Sequence, residues 1–398
     1  MWNSVELRDL LGGKGYIRGP FGSALRRNEM QNTGIPVYEQ KNAIYNSREF
    51  RYFIDEEKFN TLKRFQVQTS DLIISCSGTV GKVSIIGEND PKGIISQALL
   101  ILRPDTAKVI EKYLFYFLNS KLGYKLITQV SHGSVQVNIA KRNVVEGIKV
   151  PLPPVVEQES IVEVLSSLDD KIELLQKQNE TLEALAQTLF RQWFIEEADD
   201  SWEEVEISKE LTITIGKTPP RKESHWFSNT EGIPWLSIKD MGQQGIYINN
   251  TTEYLTKEAV DTHNVKVVPA ESVLMSFKLT VGRVAINHQD MVTNEAIAHF
   301  YGFEQSRLTN YYVYLFLKQF NFRSLGSTSS IAQAVNSKTV KSIKIPVPHS
   351  ELMAEFTKTV EGLFEKIKLN TAQIQTIEQT RDTLLPKLMS GQVRVKLD

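Results

Sequence analysis

A single cysteine, Cys76, stands in 398 residues, so no disulfide can close within the chain and no thiolate zinc cluster can be built from it. Long apolar runs are missing as well. No stretch of about 18 apolar residues occurs, and the start, MWNSVELRDLLGGKGY, has no basic flank followed by an apolar core, so membrane spanning and secretion are disfavoured. A reducing, cytoplasmic setting is expected. The six histidines, His132, His225, His263, His288, His299 and His349, are scattered without metal-ligand spacing and are expected as ordinary surface or core residues. Catalytic patterns are lacking too. Gly-Lys-Thr at 216–218 resembles the end of a phosphate loop, but Leu211 stands where that loop needs glycine, and Pro219 and Pro220 block the helix that must follow. No acyl-transfer triad or metal-carboxylate cluster can be named from spacing.

What is present is ordinary globular composition, 41% hydrophobic and 23% charged, in a chain long enough for two or three domains. The net charge of −1 hides an uneven spread. Residues 1–154 carry 21 Lys and Arg against 14 Asp and Glu, whereas residues 155–201 carry 3 against 12. Residues 202–349 and 350–398 are nearly balanced, at 15 against 14 and 7 against 7. A basic first part followed by an acidic segment allows one region to meet phosphate while its neighbour meets another partner or only solvent.

An internal repeat fixes the organisation. Trp2, Val5, Glu6 and Leu7 match Trp202, Val205, Glu206 and Ile207; SDLIISCSGTVGKV (70–83) matches ESVLMSFKLTVGRV (271–284); and GIKVPLPP (147–154) matches SIKIPVPH (342–349). The three offsets, 200, 201 and 195, are nearly one value. Residues 1–201 therefore form one unit and 202–398 its duplicate. Each copy begins as short strands and loops, contains an aromatic helical stretch (111–122 and 310–321) that reads as core, and leaves through a Pro-rich phrase. These parts are expected to be α+β globules.

After each exit the pattern turns to heptads. In the first copy Ile161, Leu168, Leu175, Leu182 and Leu189 hold one seam position, and Leu165, Ile172, Asn179, Ala186 and Trp193 the other. In the second, Phe356, Leu363, Asn370, Ile377 and Leu384 hold the first, and Val360, Ile367, Ile374, Arg381 and Leu388 the second. A repeat this long exceeds an ordinary globular helix of about 11 residues, and the two helices are expected to pair with each other. An antiparallel alignment that sets Ile161 opposite Leu388 and Trp193 opposite Phe356 also sets Asn179 opposite Asn370, whereas a parallel one leaves Asn179 against Ile374. An unmatched amide in an apolar seam costs about 1–3 kcal/mol, so the antiparallel register is expected. The fold class is then α+β: two similar globules separated by two long antiparallel helices, related by a pseudo-two-fold axis. The seam, at 1.5 Å per residue, would be about 48 Å long, enough to hold two readers on one duplex, whose turns repeat every 34 to 36 Å.

The chain resembles the specificity subunit of type I restriction-modification systems. The resemblance runs over essentially the whole length, through IRGPFGSAL (17–25), LIISCSGTVGKV (72–83), KVPLPPVVEQESIV (149–162), LAQTLFRQWF (185–194), ITIGKTPPR (213–221), GIPWLSIKDM (232–241) and LLPKLMSGQVRV (384–395). It implies target recognition domains at 1–154 and 202–349 and conserved helical regions at 155–201 and 350–398. It further implies a non-catalytic subunit that binds double-stranded DNA with a split recognition site, docks two methyltransferase subunits and is joined by nuclease-translocase subunits. No cofactor is implied for this chain, because the methyl donor and ATP would bind the partners. One departure is noted: Glu157 and Gln158 follow the first exit, but Leu352 and Met353 follow the second, so docking on the two sides need not be equivalent.

Sequence readout needs Arg or Lys for guanine, Asn or Gln for adenine, and basic or hydroxyl groups for phosphate. The loops that offer this mixture carry Arg18, Ser23, Arg26, Arg27, Gln40, Lys41, Asn42, Lys82, His132, Ser134 and Gln136 in the first copy. The second copy offers Lys217, Thr218, Arg221, Lys222, Lys239, Lys278, Arg283, Ser329 and Gln333. For any one of them a solvated surface role is the blander reading. Two competing classes remain at this stage: a non-catalytic two-headed scaffold for proteins or glycans, and an independent nuclease.

Overall fold

The computed structural model describes residues 2–130, 137–322 and 336–396. The chain divides into two compact units, residues 1–171 with 377–398 and residues 172–376.

In the first unit a four-stranded antiparallel sheet runs in the order Leu11–Arg18, Leu99–Pro104, Leu72–Ser75, Val83–Ile85. Alternate residues of a strand point to opposite faces. Here both faces are covered: Leu72, Ile74, Leu100 and Leu102 enter one core, and Ile73, Leu99 and Ile101 another. This explains why the strand reads as an unbroken apolar run. The second core also rests on the strands Phe53–Ile54, Ile35–Tyr38 and Ile94–Ile95. Strand Asn3–Glu6 pairs antiparallel with Lys149–Leu152, so the first and last repeat markers of this copy lie side by side. The aromatic stretch forms helix Glu111–Asn119, whose Tyr113 donates its hydroxyl to Pro151 O at 2.6 Å. One helix over 111–122 was expected, but it stops at Asn119. Ser120 leaves helical geometry and caps a second helix, Lys121–Ile127, by accepting from Gly123 N.

The second unit repeats this plan. Its larger sheet runs Thr212–Ile215, Ile297–Tyr301, Val273–Ser276, Val284–Asn287, Tyr247–Ile248. Strand Glu203–Glu206 pairs with Lys344–Val347 as its counterpart does, and Tyr312 of helix Asn310–Gln319 donates to Pro346 O at 2.9 Å.

The two heptad segments form helices Val155–Arg191 and Ser350–Ser390. Within each unit they run antiparallel. In the first unit Ile161 and Leu165 share a core with Leu388 and Met389, and Arg381 meets Asp169 at 2.9 Å. That contact satisfies the charged seam position. In the second unit the rings of Trp193 and Phe356 meet at a tilt with centroids 5.7 Å apart, and Asn370 Nδ2 donates to Asn179 Oδ1 at 2.9 Å, as the register required. Every seam residue is buried or half-buried, including Leu168, Ile172, Leu175, Leu182, Leu189, Val360, Leu363, Ile367, Ile374, Ile377 and Leu384.

Two features lie beyond the heptad reading. A third row of side chains on the long helices, outside the heptad, is buried against the globules. Phe190 and Phe194 pack on Tyr312, and Phe364 stacks on Tyr311 at 4.4 Å. Glu157 and Gln158, which follow the first Pro-rich exit, are buried. Glu157 receives Arg394 at 2.6 and 2.7 Å and Trp2 Nε1 at 3.1 Å, while Gln158 bonds Ile110 N and Pro153 O. Glu157 thereby ties Trp2 and Arg394 into the first unit.

Candidate nucleic-acid interface

In both units the strand preceding Thr-Val-Gly enters a turn held by one buried serine. Ser75 donates its hydroxyl to Thr79 O at 2.6 Å and accepts from Lys82 N at 3.0 Å, while Gly81 N closes on Ser75 O at 2.8 Å. Ser276 makes the same bonds with Thr280 O, Arg283 N and Gly282 N. Gly81 and Gly282 have φ of +80° and +90°, which a side chain would strain. The opening strand is followed directly by Gly19 in one unit and by Gly216 in the other. An added Cβ there would lie 2.0 Å from Ser96 O and 2.1 Å from Asn294 O. Only glycine lets these strands approach so closely.

The result in the first unit is that three loops converge on Ser96–Ala98. Cys76 N bonds Ala98 O at 2.8 Å, and a concavity of about 410 Å³ is lined by Gln40, Lys41, Arg51, Glu39, Ser96 and Ala98. A second concavity, of about 400 Å³, gathers Arg18, Arg64, Lys141 and Arg142 with Tyr16 and Ile139. Four cations around one hollow are suited to phosphate. Arg142 lies over the Tyr16 ring at 5.1 Å and bonds Glu146 at 2.8 Å. Burial pushes the Cys76 thiol up to about 11, although Arg18 beside it works the other way, so this thiol stays protonated. Arg64, Lys141 and Arg142 escaped the sequence reading. The doublets Lys63-Arg64 and Lys141-Arg142 were the available signal, but nothing in the sequence joins them.

In the second unit the corresponding loops meet at Asn294–Ala296. Phe277 N bonds Ala296 O at 2.9 Å, and the Thr218 hydroxyl donates to the Glu295 carboxylate. Burial alone would raise the Glu295 pKa, but Thr218, a backbone N–H and the charges of Lys278 and Arg221 bring it below the ordinary value. Lys217 donates to His263 O at 2.6 Å.

Besides Lys217 and Thr218, three predicted readers are engaged within the fold. Asn42 is fully buried: its carbonyl accepts from Glu39 N at 2.7 Å, and its amide donates to Ser47 O and Glu49 O. Arg221 holds Glu253 through two bonds of 2.7 and 2.9 Å between the rings of Phe227 and Trp235. Arg283 donates to Ile238 O at 2.7 Å against Gly242. In contrast, Lys82, Lys222 and Lys239 are exposed and have no ion pair among the described residues, and Lys278 is half-exposed over the Phe277 ring. Arg26 is exposed beside Glu29, and Arg27 reaches the Tyr52 hydroxyl at 3.2 Å. His132, Ser134, Gln136, Ser329 and Gln333 lie outside the described residues, as does the side chain of Ser23. Among the described residues no His, Cys, Asp or Glu group could hold a metal, and no helix is long and apolar enough to cross a membrane.

The family model for the type I restriction modification DNA specificity domain matches twice, over residues 2–184 and 199–379. The chain belongs to this family. Each match takes in a globule and most of the long helix that follows it, in keeping with the shared cores. The specificity subunit of the putative type I restriction enzyme MjaX of Methanocaldococcus jannaschii is 25% identical over 366 residues, covering 86% of this chain and 83% of the relative. The HindI specificity subunit of Haemophilus influenzae is 24% identical over 380 residues, covering 75% and 81%. Among solved structures, the S subunit of the type I system of M. genitalium aligns over 100% of this chain and 97% of its own with a TM-score of 0.54 at 15% identity, a likeness of fold. Family membership settles the class: this is a non-catalytic, DNA sequence-recognition subunit that assembles with modification and restriction subunits. The scaffold and independent-nuclease readings fall away.

Proposed function

We propose that each globular part, 1–154 and 202–349, reads one half of a split site on double-stranded DNA. The long helices set the spacing and dock two methyltransferase subunits, and nuclease-translocase subunits complete the complex. One observation carries this reading: the chain builds one loop frame twice and finishes it with unlike side chains. The serine-held turns share their hydrogen bonds, yet one tip is Gly78 and the other Leu279. The opening loops continue as Pro20-Phe21 and Lys217-Thr218, and beside them stand Gln97 and Glu295. A common frame with different tips suits two different base sequences. Arg18, Gln40, Lys41 and Lys82 in the first part, and Lys217, Thr218, Lys222, Lys239 and Lys278 in the second, are the groups we assign to bases and phosphates. The four cations around the first hollow take the backbone. An adenine of each half-site is flipped into a methyltransferase, and the methyl donor and ATP bind the partner chains, in a cytoplasmic setting.

The test is selection from a random duplex library by the chain together with its methyltransferase partner, at rising salt. Enrichment of a gapped, two-part motif, with affinity falling steeply as salt rises, is expected. An unbroken motif or no enrichment overturns the proposal.

A further inference from the structure

Leu279 is placed where a leucine gains nothing from the described residues of the protein. It has a left-handed backbone with φ of +62°, a conformation that side chains disfavour, and it is 93% exposed. The matching residue of the first copy is Gly78, at φ +57°, so the turn geometry is common to both copies and only the side chain differs. The turn is firm. Ser276 clasps it from within, Phe277 anchors its start at 1% exposure, and Gly282 closes it on Ser276 O at 2.9 Å. Its neighbour Lys278 carries positive charge, and Lys278 and Arg221 both act on Glu295 at the same loop cluster. An aliphatic side chain is thus held out on a stiff, basic turn, at the place where the proposed function sets DNA.

We propose that Leu279 is a specificity-determining contact of the second half-site, burying its side chain against the 5-methyl group of a thymine in the major groove. This rests on the proposed DNA-reading role of residues 202–349. The methyl group is the apolar feature that marks thymine there, and it asks for an apolar partner rather than a hydrogen-bonding one. Gly78 offers no such group, so the first half-site lacks this contact from the equivalent turn.

The experiment uses the chain assembled with its methyltransferase partner and duplexes carrying its own target. Each thymine is replaced singly by deoxyuridine, which lacks only the methyl group. For the wild type, one position in the second half-site is expected to lose about fourfold in affinity, the worth of one buried methyl. Leu279→Gly is expected to bind the unmodified target about fourfold or more weakly, to become insensitive to deoxyuridine at that position, and to keep its response in the first half-site. The same variant should unfold at the same or a higher temperature, because glycine suits this backbone. An unchanged affinity for Leu279→Gly, an equal loss on target and random duplex, or a persisting deoxyuridine effect would each overturn the assignment. If the wild type prefers no two-part target at all, it is the proposed function that fails, and not this contact alone.

Discussion

His299 shows how far a single residue's role depends on neighbours that the sequence does not join to it. It is fully buried in strand Ile297–Tyr301, with Nδ1 2.8 Å from Thr214 Oγ1 and Nε2 2.7 Å from Thr293 Oγ1. Thr293 spends its proton on Asn294 O at 3.1 Å, so it accepts from Nε2–H, and Nδ1 accepts from Thr214. Burial brings the His299 pKa down to about 3, far below its usual 6.5. Between these values the unfolded chain binds a proton that the folded one refuses. Stability from this site is therefore whole above pH 6.5 and falls, by up to about 1.4 kcal/mol per pH unit, as pH drops towards 3. Denaturant titrations of the wild type and His299→Leu from pH 7.5 to 5 should show this extra slope in the wild type alone. Equal slopes would contradict the burial account. Lysines were more legible than arginines for the same reason. Residue type marked Lys222 and Lys239, which have no ion pair among the described residues, but it marked Arg221, Arg283 and Asn42 equally, and their internal partners are fixed only by folding. Replacing Lys222 and Lys239 together by alanine is expected to reduce the slope of log K against log salt by about 2, if each meets one phosphate. An unchanged slope would remove them from the interface.

The long helices were readable as elements because their period is written in the chain. Their second role was not. The heptad captured the row that meets the other helix, but Phe190, Phe194, Met353 and Phe364 belong to a row facing the globule, and a two-helix pattern has no place for it. The Asn179–Asn370 pair is the register device at this scale. Asn179→Leu leaves the buried Asn370 amide facing a methyl group and should destabilise by about 1–3 kcal/mol. The double replacement Asn179→Leu with Asn370→Leu should regain most of that loss, since both polar partners are then gone. Chemical denaturation of the four variants measures the coupling. Independent, additive effects would mean that the amides do not act as a pair. The break at Ser120 was missed because the aromatic run continues past it, while the cap is a property of one residue's backbone angles.

At the scale of the molecule the duplication was legible from three short markers, and two of them turn out to be paired strands. Asn3–Glu6 lies on Lys149–Leu152 in one unit and Glu203–Glu206 on Lys344–Val347 in the other, so the retained phrases are the clasps that close each globule. The convergence of loops on Ser96–Ala98 and Asn294–Ala296 was not legible, since it depends on close approaches at Gly19 and Gly216 between segments far apart in the chain. The central claim is that two like frames with unlike tips read two halves of one site. It is tested most directly by sequencing the adenines methylated when the chain is assembled with its methyltransferase partner, for the wild type and for Leu279→Gly combined with Lys239→Ala. The expected result is a gapped two-part motif whose second half is relaxed in the variant while the first half and the gap stay fixed. A single unbroken motif, or a change in both halves, would contradict the account.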